Sequence, residues 1–89
     1  MGIWFTYIVE CSDKTLYTGT TNDINERIDK HNKGTGAKYT KGRGPVKILY
    51  CHSFESRSEA CKHEYELKQY SKNDKLSIIE SMHNEIKKR

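Results

Sequence analysis

Five polar residues carry types and spacings that suit chemistry. Tyr7 and Tyr17 stand near the centres of two short β-prone stretches, and the helical run that follows carries Arg27 and His31 one turn apart. Farther along, Glu64 shares a helical face with Ala60 and Leu67, at spacings of four and three. Ala60 and Leu67 suit a sheet-facing stripe, so the carboxylate between them points the same way. That placement is costly unless the group is paired or binds a metal. Glu66, by contrast, falls on the solvated side. Two phenols, a guanidinium, an imidazole and an inward carboxylate on one sheet face would serve phosphodiester hydrolysis. The reaction needs a base for water, positive charge at phosphorus, and a carboxylate for a divalent ion.

Each residue also has a plainer reading. Glu64 has Lys68 one turn on as a salt-bridge partner, or sits at the edge of the stripe. A lone tyrosine is usually a core aromatic with a satisfied hydroxyl. A phenol titrates near about 10, so it acts as a base at neutral pH only where a cation or metal favours its anion. Arg27 can simply solvate a helix face, although its planar fork matches a phosphate. His31 on an apolar stripe fits a core histidine. The set says more than any member.

These side chains need elements to position them. Ile3 to Cys11 is rich in β-branched and aromatic residues and predicts a strand. Phe5, Tyr7 and Val9 share one face and Trp4, Thr6 and Ile8 the other, so this strand belongs at the centre of its sheet. Ser12-Asp13-Lys14 has turn chemistry, and Thr15 to Thr20 returns as the hairpin partner. Gly19 there suits a close backbone approach or a bulge. Asp23-Ile24-Asn25-Glu26 has capping-box spacing and opens a helix to about Asn32, stopped by Gly34. Its inward stripe is Ile24, Ile28 and His31, with Arg27 alongside.

From Gly34 to Pro45 a loop holds Lys38, Tyr39, Lys41 and Arg43 among four glycines, and its composition alone suits mobility. Glycines let a backbone approach phosphates and Tyr39 can stack on a base, but a solvated linker fits equally well. Val46 to Phe54 predicts a third strand, and Ser56-Arg57-Ser58-Glu59 opens a helix to about Tyr70. Ser71 to Asp74 reads as a break. A last helix follows with Leu76, Ile79, Met82 and Ile86 as its stripe and Lys87-Lys88-Arg89 complementing its dipole. The order β-β-α-β-α-α is an α+β sandwich of sheet and helices, a single domain over residues 1–89.

The composition agrees with a small folded domain. Hydrophobic residues make up only 34% and charged ones 31%, but six tyrosines, two phenylalanines and a tryptophan bury large areas each. The net charge of +4 suits a polyanion without demanding one. No signal-peptide pattern and no membrane-length apolar run stand in the sequence, and three cysteines are an odd number for a disulfide framework. The expected location is the cytoplasm, with no membrane partner. Cys51-His52 and Cys61-Lys62-His63 tempt a zinc reading, but neighbours on a strand point apart and the spacing matches no standard finger. The cysteines read as small core residues.

Thr6-Tyr7-Ile8, followed about ten residues later by Tyr17-Thr18-Gly19, resembles the paired motifs of the GIY-YIG nucleases. The helix with Arg27 and His31, the Gly34–Lys41 loop and Ala60…Glu64 follow in that family's order, from about Ile3 to about Ser71. The segment Lys38 to Pro45 looks like the small standalone bacterial members. It also looks like the nuclease half of structure-specific endonucleases that work with a scaffold subunit. The resemblance implies a three-stranded antiparallel sheet flanked by helices. It further implies one-metal hydrolysis of DNA, usually with Mg²⁺ and alternatively with Mn²⁺, on branched, nicked or single-stranded substrates of the kind met in DNA repair. Tyr7 is then the general base with Tyr17 hydrogen-bonded beside it, Arg27 the phosphate clamp, and His31 the orienter or proton relay. Glu64 is the single protein ligand of the metal, which Mg²⁺ tolerates because it keeps much of its water. Lys38, Tyr39, Lys41 and Arg43 are the expected DNA contacts.

The motifs depart from the family pattern at Thr6, where glycine is usual, and at Thr18, where isoleucine is. Small packing adjustments are expected there. A bare catalytic module implies weak intrinsic affinity for DNA and help from a partner protein or a second copy. A module that binds nucleic acid without cutting it is the alternative, and the presence of all five polar residues favours the enzyme.

Overall fold

The computed structural model describes residues 2–81 and 84–88. Strand β1 (Trp4–Glu10) lies at the centre of an antiparallel sheet between β2 (Leu16–Thr21) and β3 (Lys47–Phe54). The central place follows from its two apolar faces, each of which needs cover. Tyr7, Val9 and Cys11 pack beneath α1 (Ile24–Asn32) with Phe5, Ile24 and Ile28, whereas Ile8 packs on the opposite face with Tyr50, Leu67 and Ile79. Lys14 takes the left-handed conformation (φ 71°) in the hairpin turn, and the Asp13 side chain accepts from the Thr15 backbone at 3.1 Å.

Both N-caps form as read, without the returning half of a capping box: the Asp23 N–H donates to the Thr21 hydroxyl at 3.1 Å, and Glu59 accepts from the Ser56 hydroxyl at 3.1 Å. Asp23 accepts from the Glu26 backbone, and Ser56 accepts from that of Glu59 at the start of α2 (Arg57–Lys68). Thr6, in place of the usual glycine, donates its hydroxyl to the Ala60 carbonyl at 2.7 Å and so fastens α2 to the central strand. Cys51 is buried in the α1-side core, while His52 beside it lines a pocket on the other face with Tyr50, Phe54 and His63.

The C-terminal region differs from its reading. The break read at Ser71 to Asp74 falls slightly earlier: α2 ends at Lys68, and Ser71 caps Asp74 and opens α3 (Lys72–Ile79). That helix then stops, and a separate 3-10 turn covers Glu85–Lys88. One straight helix could not carry the proposed stripe, because Ile79 packs on the α2 side of the sheet and Ile86 on the α1 side. Leu76 is 42% exposed and belongs to neither core. Met82 and Arg89 lie outside the described residues. The crossing point is Asn84, fully buried, whose amide donates to the carbonyls of Leu49 (2.7 Å) and Ile79 (2.8 Å) and accepts from the backbones of Cys51 (3.2 Å) and Ile86 (3.1 Å). Glu85 adds an acceptor for the Ser53 backbone at 2.7 Å. The outer edge of β3 thus spends its donors on side chains of the tail, which blocks edge-to-edge pairing.

Thr18 is 3% exposed, and among the described residues its hydroxyl oxygen is the buried side-chain atom without a hydrogen-bond partner. Its place across from Ile8 on the α2 side is apolar. Replacing the stranded hydroxyl by a methyl, Thr18→Val, should stabilise the fold by about 1 kcal/mol. Urea denaturation measures this, and a lower midpoint for the variant would show that the hydroxyl is satisfied.

Candidate active site

Tyr7 is wholly buried, with its hydroxyl 2.8 Å from His31 Nε2 and accepting from Arg27 Nε at 3.3 Å. Three features of the sequence bring these groups together. The pleat turns Tyr7 toward α1, and the one-turn spacing of Arg27 and His31 puts both on the helix flank facing it. The strand register sets Gly19 opposite Tyr7, and a Cβ there would lie 2.6 Å from the phenol oxygen. Any larger residue in that position would push the hydroxyl away.

Tyr17 pairs with Val9, so it sits diagonally from Tyr7 rather than across from it. Its ring meets His31 edge-on at 5.4 Å and stacks on Tyr39 at 5.8 Å with a 19° tilt. The direct bond between the two phenols that the resemblance implies is therefore absent among the described residues. The Tyr7 hydroxyl goes to His31 and Arg27, and both tyrosines support the charge of Arg27.

The loop after α1 is a wall of this site, fastened at several points. The Thr40 hydroxyl lies 2.8 Å from His31 Nδ1, the Thr35 backbone donates to the Lys30 carbonyl at 2.9 Å, and Asn32 accepts from the Val46 backbone at 2.6 Å. Arg43 donates to Asp13 at 2.7 Å and to the Tyr39 carbonyl at 2.8 Å, and its own carbonyl accepts from the Ser12 backbone. Of the four expected DNA contacts, Lys38, Tyr39 and Lys41 are exposed. Arg43 is bonded to Asp13 and Tyr39, with its side chain 40% exposed. Sequence reasoning missed Thr40, Gly36 and Asp13; a threonine or glycine in a polar loop and an aspartate in a turn carry no signal of what they will meet.

Glu64 lies on α2, which packs through Ala60 and Leu67 on the Thr6 and Ile8 face of the sheet, opposite the face that carries Tyr7 and Tyr17. The five polar residues therefore do not share the one sheet face expected of them, and the Glu64 side chain is 21% exposed. Lys68 reaches it at 3.0 Å, the plainer partner that its spacing allowed. An exposed pair of this kind contributes about 0.3–0.5 kcal/mol, little enough for a competing cation to displace. Among the described residues, Glu64 is the carboxylate whose charge is felt at Tyr7. No three His, Cys, Asp or Glu side chains converge among the described residues, which does not suit an ion needing a protein cage. A single, partly open carboxylate suits a hard divalent ion that keeps its water. The 420 Å³ groove under the start of α1, lined by Phe5, Ile24, Ile28 and Ile48, includes none of the five polar residues.

Burial pushes the Tyr7 phenol up to about 12 against the pull of Arg27. Burial, and then the Arg27 charge, pushes His31 below its usual range. At neutral pH both rings are uncharged. The sign of the stability effect follows: the folded chain keeps a Tyr7 proton that the unfolded chain releases near about 10. That contribution is intact below about pH 10 and lost as pH rises toward 12. Tyr50, raised by burial, acts in the same sense. Unfolding free energy should therefore fall across this window, and Tyr7→Phe should flatten part of the fall. Equal slopes for the two proteins in alkaline denaturation would mean that the phenol is not raised.

Comparison with known proteins gives the family. Residues 3–77 match the model of the GIY-YIG catalytic domain. A UPF0213 protein of Staphylococcus aureus strain Mu3 is 55% identical over 75 residues, covering 84% of this chain and 92% of the relative. The solution structure of the UPF0213 protein BH0048 from Bacillus halodurans is 40% identical, with a TM-score of 0.59 over 94% of this chain and 89% of that one. That of the protein EF2693 from E. faecalis is 34% identical, with a TM-score of 0.64 over 93% and 88%. With residues 3–77 of its 89 matched and relatives of this identity covered almost end to end, this chain belongs to the GIY-YIG catalytic domain family.

Proposed function

We propose that this chain is a divalent-metal-dependent DNA endonuclease, acting as one domain in the cytoplasm on branched, nicked or single-stranded DNA. The observation that carries the reading is the Tyr7 hydroxyl held between Arg27 and His31. Arg27 is the group to neutralise the scissile phosphate, because its remaining guanidinium donors are not used by Tyr7. Tyr7 is too weak an acid to stand as a free phenolate at pH 7. It can still act as a base by relay: it takes a proton from water as its own passes to His31, which is neutral. Tyr17 packs against the imidazole and holds the ring in place. Glu64 would hold Mg²⁺ or Mn²⁺, which supplies positive charge against the phosphate as negative charge builds. Lys38 and Lys41, on the outside of the loop, suit the DNA backbone. A partner protein would supply the affinity that so small a basic surface lacks.

A module that binds DNA without cutting has one observation in its favour, the ion pair that Lys68 already makes with Glu64. Cleavage assays on flap, junction and plasmid DNA with Mg²⁺ or Mn²⁺ separate the two. Glu64→Gln and Tyr7→Phe should each slow cutting by at least about 100-fold. Cleavage that persists in Glu64→Gln would sink the metal assignment, and DNA binding with no cutting under any metal would favour the module. For the interface, Lys41→Ala should reduce the salt slope of DNA binding by about 1. Arg43→Ala should change it less, because Asp13 already matches that charge. Unchanged slopes for Lys41→Ala would remove the loop from the DNA surface.

A further inference from the structure

Thr40 is completely buried although Tyr39 and Lys41 on either side of it are exposed. Its hydroxyl lies 2.8 Å from His31 Nδ1 and 3.1 Å from the Ala37 carbonyl. We infer that Thr40 is a positioning residue that holds His31 in the tautomer with hydrogen on Nδ1, leaving Nε2 free to take the Tyr7 proton.

The Tyr7 end of the chain of bonds requires this assignment, and the Thr40 end accommodates it. At the Tyr7 end, Arg27 can only donate, so the phenol hydrogen has His31 Nε2 as its acceptor. With hydrogen on Nε2 instead, the phenol oxygen would face two donors and its own buried hydrogen would lack a partner, which costs about 1–3 kcal/mol. At the other end, the Ala37 carbonyl, which also accepts from the Thr40 backbone at 3.2 Å, lies in line to take the Thr40 hydroxyl hydrogen, and the Thr40 oxygen then accepts from Nδ1. A neutral imidazole has one N–H, and the partner of one nitrogen decides the role of the other. Gly36 closes the same side: a Cβ there would lie 2.6 Å from Nδ1, so the pocket around that nitrogen is built for Thr40 alone.

The consequence for rate rests on the nuclease reading. As Tyr7 takes a proton from water, its own O–H bond breaks and an N–H forms on His31. The imidazolium then donates at both nitrogens, to Tyr7 and to Thr40, and the hydroxide equivalent attacks phosphorus as the P–O bond to the leaving oxygen breaks. That oxygen keeps the electron pair and takes a proton from water. The relay needs no rotation of the ring, because the bond to Thr40 persists throughout.

The test is the long-range ¹H–¹⁵N spectrum of the imidazoles in the full chain, for wild type, Thr40→Ser and Thr40→Val. The expected result is hydrogen on His31 Nδ1 in wild type and Thr40→Ser, and loss of that preference in Thr40→Val. Cutting of a flap oligonucleotide with Mg²⁺ should fall at least about 10-fold in kcat for Thr40→Val, with KM little changed, and recover in Thr40→Ser. Hydrogen on Nε2 in wild type would overturn the inference without any variant, which matters if Thr40→Val does not fold. A folded Thr40→Val that keeps hydrogen on Nδ1 would also overturn it. Should no DNA be cut, the nuclease reading fails, but the tautomer spectra still decide the role of Thr40.

Discussion

One buried phenol oxygen constrains the rest of this molecule. Tyr7 faces inward from the central strand, so its ring belongs to the core while its hydroxyl must find partners there. The neighbouring strand gives way with a glycine, α1 turns two polar residues toward the sheet, and the following loop folds back to hold the far side of one of them. Among the described residues, Arg27 is the one formal charge bonded to the hydroxyl. Burial keeps both Tyr7 and His31 neutral, and a neutral His31 spares the site a second cation beside Arg27.

The glycine-rich loop illustrates how composition can conceal a structural part. Basic and polar, it has the look of a free arm reaching for nucleic acid. Much of its chemistry is instead internal: Arg43 ties it to the hairpin turn through Asp13 and Ser12, Tyr39 stacks on Tyr17, and Thr40 reaches His31. Its outward charge is therefore smaller than a count of cations suggests, and falls to Lys38 and Lys41. Stacking between Tyr39 and Tyr17 links this wall to the second motif strand, so a substrate that disturbs one ring is felt by the other.

Much of this was legible from residue types and spacing. The strands, the N-caps at Asp23 and Ser56, the central place of β1 and the inward stripe of Ile24, Ile28 and His31 follow from local rules. Alternation decides which face a strand residue takes, and helical spacing decides which residues share a stripe. The C-terminal region was not legible. Leu76, Ile79 and Ile86 keep a helical period, yet the last two serve opposite faces of the sheet, and Asn84 ends the regular run by binding the edge of β3. Periodicity records that a residue is apolar, not which core it enters.

For the site the division is the same. Sequence alone determined the cast: Tyr7, Tyr17, Arg27, His31 and Glu64 in an order and spacing that place each on its element, together with a glycine where a close approach was needed. Tertiary structure alone decided their partners. That Tyr7 bonds to His31 and Arg27 and not to Tyr17 depends on strand register, and that Thr40 meets His31 depends on how a loop closes over a helix. Local rules act over a few residues along the chain, whereas a hydrogen bond is satisfied only by what the whole fold brings within about 3 Å.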